Sequence, residues 1–167
     1  IAVCAAAAVT MIAATMWAPA PTWPTWALLA TIGAWVAVID AITTWIPAAL
    51  AWTGWAGWIG AVVVTALSDH TAAIRAVIAT AIIFAAWMIA WLISRGGFGF
   101  SDVRITPLWA APAAATGIDT IQVTVIAGLT LIALYALIDR FRHHTTRFLP
   151  WAPSLCSGAL IGLAIAH

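Results

Sequence analysis

The chain has 167 residues, of which 65% are hydrophobic and 7% charged, with a mean hydropathy of +1.10. It has no Lys and no Glu; six Arg and five Asp leave a net charge of +1. A soluble domain carries roughly 25% charged residues, so a water-solvated surface is excluded, and without a basic stripe so is a nucleic-acid binder.

Breaks at Pro, Gly and charge divide the chain into seven hydrophobic segments, at 1–16, 26–40, 47–67, 74–94, 103–116, 119–138 and 150–166. The first resembles a secretory signal ending near Ala18-Pro19-Ala20, but no basic run opens it and more segments follow. It is read as a retained helix, and Ile1 in place of Met as a trimmed or unusual start. The fifth segment is short and holds Pro107 and Pro112, which predicts a kinked or partly embedded helix. About 20 apolar residues cross a hydrocarbon core, so the expectation is an all-α, polytopic membrane protein of six or seven spans. Residues 1–167 form one transmembrane domain, and the twelve Trp suit the membrane interface.

Orientation follows from arginine. With a cytoplasmic first terminus, Arg95, Arg104, Arg140, Arg142 and Arg147 fall on the cytoplasmic side and only Arg75 outside. The run Arg140-Phe141-Arg142-His143-His144-Thr145-Thr146-Arg147 is then a cytoplasmic loop anchored at lipid headgroups. Adjacent His143 and His144 lack the spacing that aims two imidazoles at one metal, so no metal or cofactor is expected. Cys4 and Cys156 form no CxxC pair and read as small packing residues. Trp52, Trp55 and Trp58 share roughly one helix side, a packing or lipid-facing stripe, and Gly158 and Gly162 suit a close helix contact.

The arginine bias puts Asp40, Asp102 and Asp139 on the cytoplasmic face, with Asp69 and Asp119 opposite. A carboxylate beside hydrocarbon is costly and invites a functional reading. The bland alternatives are that Asp102 caps the next helix and that Asp40 sits in interfacial water. Asp40 closes the second segment, followed by Thr43 and, seven positions on, Pro47. Asp102 follows a glycine-rich link, Arg95-Gly96-Gly97-Phe98-Gly99-Phe100-Ser101-Asp102-Val103-Arg104-Ile105. The chain closes on Pro150-Trp151-Ala152-Pro153 opening a last apolar segment.

These three landmarks, in this order, resemble the type IV prepilin peptidase family across about residues 36–167. Asp40, Thr43 and Pro47 match its first motif; Gly96, Gly97, Gly99, Asp102, Val103, Arg104 and Ile105 match its GGxGxGD motif. Ser101 stands where that motif has its second Gly, and Ala48 where a polar residue follows the Pro. The resemblance implies a metal- and cofactor-independent aspartic endopeptidase in the bacterial plasma membrane. Its substrate would be a prepilin or pseudopilin of type IV pilus or secretion systems, cut at the cytoplasmic face. Asp40 and Asp102 would be catalytic, with Gly96, Gly97, Gly99 and Ser101 forming a flexible substrate loop. The four-cysteine domain linked to N-methylation in longer members has no counterpart in these residues, so methyl transfer is not expected. The alternative class is a non-catalytic transporter or an assembly component of a pilus or secretion system. Each carboxylate's own helix end suggests that Asp40, near a carboxyl terminus, holds the shared proton and that Asp102, near an amino terminus, is the base.

Overall fold

The computed structural model describes residues 1–94, 99–143 and 149–166. Among them every regular element is helical: α1 (Ala2–Trp17), α2 (Trp23–Leu28), α3 (Ala34–Thr43), α4 (Ala48–Ser68), α5 (His70–Ser94), α6 (Phe100–Arg104), α7 (Thr106–Thr116), α8 (Ile118–His143) and α9 (Trp151–Ile165). A short tight turn, Ala20–Thr22, leads into α2, and a wider π turn, Leu29–Gly33, joins α2 to α3.

Four stretches are long and apolar enough to cross a membrane: Ala20–Thr43, Ala48–Ser68, His70–Ser94 and Ile118–Phe141. The protein is therefore of membrane type. Of the seven segments expected from the sequence, the first and last form shorter helices of 16 and 15 residues. At 1.5 Å per residue these reach only ~24 Å.

The fifth segment is broken at Ile105 into α6 and α7, and α7 is the centre of the bundle, with every residue from Thr106 to Ala115 buried. Its Ala-rich surface lets neighbours approach closely, which matters where lipid tails are as apolar as the helices and packing alone must drive association. Pro107 is tolerated because it stands in the first turn, where no intrahelical partner is lost. The indole of Trp26, fully buried, donates to Thr116 Oγ1 (3.0 Å), tying α2 to the end of α7.

α4 and α5 run antiparallel. Trp55 of α4 meets Phe84 of α5 edge-on at 5.4 Å, whereas Val62 packs beside Ala72 and Ala76. Trp55 and Trp58 also meet edge-on, while Trp52 is exposed, so the expected stripe divides into packing and outward-facing members. Asp69 alone links α4 to α5 and accepts the N–H of Ala72 (2.9 Å), so it caps α5. Arg75 donates to the carbonyls of Ala114 and Ala115, at 3.4 and 2.8 Å. Its charge answers the carboxyl end of α7, which explains an arginine apart from the others.

α8 and α9 make the tightest crossing. A Cβ on Gly158 would fall 2.7 Å from Gly128 N and Thr124 O, so this contact exists only because Gly158 has no side chain. The close helix contact expected there is present. Cys4 and Cys156 are both free; Cys156 packs against the core, but Cys4 is exposed and fills no packing role. No cluster of metal-ligating side chains occurs among the described residues.

Candidate functional site

Of the five Asp, only two are buried: Asp40 is 2% exposed and Asp102 5%. Asp69 has its capping duty, Asp119 is exposed in the first turn of α8, and Asp139 is half-buried near that helix's other end.

Asp40 stands one turn after the fully buried Val36, on the inward face of α3. Its Oδ2 accepts the backbone N–H of Ala152 at 2.9 Å, and the Trp151 N–H also bonds it. The first turn of α9 has unpaired N–H groups and Pro150, its N-cap, offers no side-chain bond. Asp40 is thus a long-range cap for α9, set 112 residues earlier in the chain. The interfacial-water alternative for Asp40 does not describe this position.

After α3 the chain turns sharply. Thr44 N–H bonds Asp40 O at 2.8 Å, with Thr44 at φ 53° and ψ 25°, a left-handed conformation costly for a β-branched residue. Thr43 Oγ1 donates within this turn to Ile39 O (2.8 Å) and accepts the N–H of Trp45 (3.2 Å). The chain then returns Ile46, 1% exposed, to a cluster with Val36, Ile105, Leu108 and Ala152. That cluster draws the Asp40 turn, the α6–α7 junction and the start of α9 to one end of the bundle.

Asp102 lies in the first turn of α6, whose N-cap is Gly99, so it does not cap that helix; α7 is preceded by Ile105. No described residue donates a hydrogen bond to its carboxylate. Burial, and then the negative charge of Asp40, push its carboxyl up to about 8. The two acids therefore lie within electrostatic reach of each other.

Gly99 is explained by space. Its φ of −74° suits any residue, but a Cβ there would sit 2.9 Å from Asp102 Oδ2 and 3.1 Å from Ser101 Oγ. The Asp102 carboxylate folds over the bare Cα. Ser101 takes a helical conformation inside α6 and is not its cap. Gly96 and Gly97 lie outside the described residues. We expect Gly99→Val to displace the Asp102 carboxylate while Ser101→Gly changes little. Circular dichroism should show both variants folded, and equal behaviour in any assay that responds to Asp102 would count against this packing.

Sequence reasoning missed the α9 amino end, a partner no local spacing announces. Arg104, read from the sequence as a motif match and a cytoplasmic-side charge, gains contacts that spacing did not announce: its guanidinium lies over Phe100 (5.2 Å to the ring centre) and its carbonyl accepts the Trp55 indole N–H at 3.0 Å.

Fold and site together define an all-helical protein of membrane type with two buried, electrostatically coupled carboxyls at one end. No family model, curated protein or solved structure matches the chain.

Proposed function

We propose that the protein is a membrane aspartic endopeptidase of prepilin-peptidase type, acting at the cytoplasmic face of the bacterial plasma membrane through Asp40 and Asp102. The observation that carries this reading is the burial, at one end of the bundle, of two acids from segments 62 positions apart, one of them without a hydrogen-bond donor among the described residues. A structural ion would be paired, whereas a reactive acid is held at a cost to the fold.

In this reading the α9 amino end decides which acid does what. Two backbone N–H groups of the α9 amino end bond Asp40, so of the two acids it is the one with hydrogen-bond support for a charge. Asp102, held up at about 8, keeps the shared proton. Asp40 accepts a proton from water as the water oxygen attacks the scissile carbonyl, while Asp102 protonates the carbonyl oxygen. The C–N bond then breaks as the leaving nitrogen takes the proton from Asp40, and a hydroxyl of the gem-diol returns its proton to Asp102 as the C=O re-forms. This reverses the division expected from each acid's own helix end.

The decisive experiment is processing of a prepilin-type precursor, scored by mass. Asp40→Asn and Asp102→Asn are each expected to abolish cleavage with membrane insertion intact, since an Asn oxygen at 40 still accepts the α9 N–H. Normal cleavage by either variant would overturn the assignment.

The same reading takes α1, the segment 103–116 and α9 as short crossings, making seven, with Asp102 just outside the hydrocarbon. Their alternation places Asp40, Asp102, Arg104 and Arg140 at one face and Arg75 at the other. Reporter fusions after Arg95 and Arg147 are expected to report cytoplasm, and one near Asp69 the outside; an external Arg147 would put the acids on the wrong side.

A further inference from the structure

Pro112 stands inside α7, the helix that the others enclose. It has no N–H to give the Leu108 carbonyl four residues back, and its ring crowds that carbonyl. Water would satisfy such a group at a surface, but inside a bilayer a partner must come from within the protein. Two more buried polar atoms have no partner among the described residues on the helices beside it: Trp58 Nε1 of α4 and Thr80 Oγ1 of α5. Thr80 forgoes the bond to the carbonyl four residues back that Thr10, Thr116 and Thr130 each make. Packing brings the three groups to one level. Trp58 packs against both the cluster of Leu108 and the cluster of Ala76 and Ala111. Along the antiparallel pair α4 and α5, Trp55 meets Phe84 and Val62 packs on the Ala76 cluster, so Trp58 stands level with Thr80. Arg75 reaches Ala114 and Ala115, so α5 also runs against α7, and Thr80, one turn beyond Ala76, comes level with the Leu108–Pro112 turn.

We infer that this level is a binding site for one buried water, which joins α4, α5 and α7 at the proline. The chemistry of the three groups selects the occupant. An indole N–H only donates and a carbonyl only accepts, so the occupant must accept from one and donate to the other. A metal cation is refused by the indole N–H and an anion by the carbonyl. Water makes both bonds and keeps a third for the Thr80 hydroxyl, which can give or take a proton in the bond. About three polar partners is the usual complement of a buried water. The adjoining turns of α5 and α7 bring only the methyl groups of Ala76 and Ala111 to the site, so no bulky side chain competes for it. The inference stands apart from the peptidase reading, since it uses neither acid.

Thr80→Val tests it by sign, because Val keeps the shape and removes the hydroxyl. If the hydroxyl bonds nothing, its loss relieves a buried polar group and the melting temperature in detergent holds or rises. If it holds the water, the melting temperature falls, by about 2–4 °C for a chain of this length. That fall is expected to be non-additive with Trp58→Phe and with Pro112→Ala, which act on the same bridge, the second by giving Leu108 back its helical donor. Indole nitrogen–proton spectra of the full chain in phosphatidylcholine bicelles give a readout that does not depend on stability. The Trp58 Nε1–H signal, assigned by its loss in Trp58→Phe, is expected to show cross-relaxation with water that weakens in Thr80→Val. A Trp58 indole with no water contact overturns the site. So does a Thr80→Val protein that melts no lower than its parent, or one whose loss simply adds to those of the other two variants.

Discussion

Asp102→Asn is expected to yield a protein that cannot cut yet resists unfolding better than its parent, by a margin that grows with pH. Asp102 is 5% exposed, and burial followed by the Asp40 charge holds its carboxyl at about 8 against an ordinary 3.8. Between those two values the folded chain keeps a proton that the unfolded chain has released. Stability therefore falls as pH rises through this window, since the native state binds more protons there. At pH 7 the penalty is on the order of 4 kcal/mol, from roughly three pH units at 1.4 kcal/mol each. Asn has a similar shape and no proton to lose, so the variant's melting temperature should stay flat where the parent's declines. Thermal unfolding in detergent at pH 5 and pH 8 is the measurement. Parallel behaviour of parent and variant would mean that Asp102 is solvated like any surface acid. In the parent, cleavage should also weaken above about pH 8 as Asp102 loses its proton. That limb belongs to the coupled pair, so the Asn variant is what assigns it.

This prediction also marks where the sequence stopped being informative. Composition and segment lengths made the helical, membrane-type architecture plain, because 7% charge and long apolar runs leave no other way to satisfy the backbone. Asp40 and Asp102 stood out because an acid beside hydrocarbon needs a reason. The role of α9 was not legible. Its amino end reaches Asp40 across 112 positions, and a local helix-end argument had no access to it. Gly99 shows a related limit: the motif marks a glycine there, but not that its bare Cα makes room for a carboxylate three residues on. α7 shows the same limit on a larger scale. Two prolines suggested a kinked or partly embedded segment, and it does break at Ile105; that its small side chains make it the helix the rest enclose was not legible. Local chemistry predicts what a segment can form, while its place in the bundle depends on surfaces supplied by distant segments.

The second large effect concerns the crossing that carries α9. Gly158→Ala is expected to lower stability by about 1–3 kcal/mol, the usual range for overpacking a tight contact. The added Cβ would lie 2.7 Å from Gly128 N and Thr124 O and 2.9 Å from Gly128 Cα. All three are backbone atoms of α8, so no rotamer change relieves them and the two helices must separate. Gly60 is the control, since a Cβ there meets nothing within 4 Å. Gly60→Ala should therefore be neutral or gain up to ~1 kcal/mol from helix propensity. Melting curves of the two variants in one detergent make the comparison. Displacing α9 should also draw the Ala152 N–H away from Asp40, so Gly158→Ala is expected to lose cleavage more steeply than its fraction folded accounts for. Equal melting of the two Ala variants would show that α8 and α9 are not held at this distance, and the support of Asp40 by α9 would fall with it.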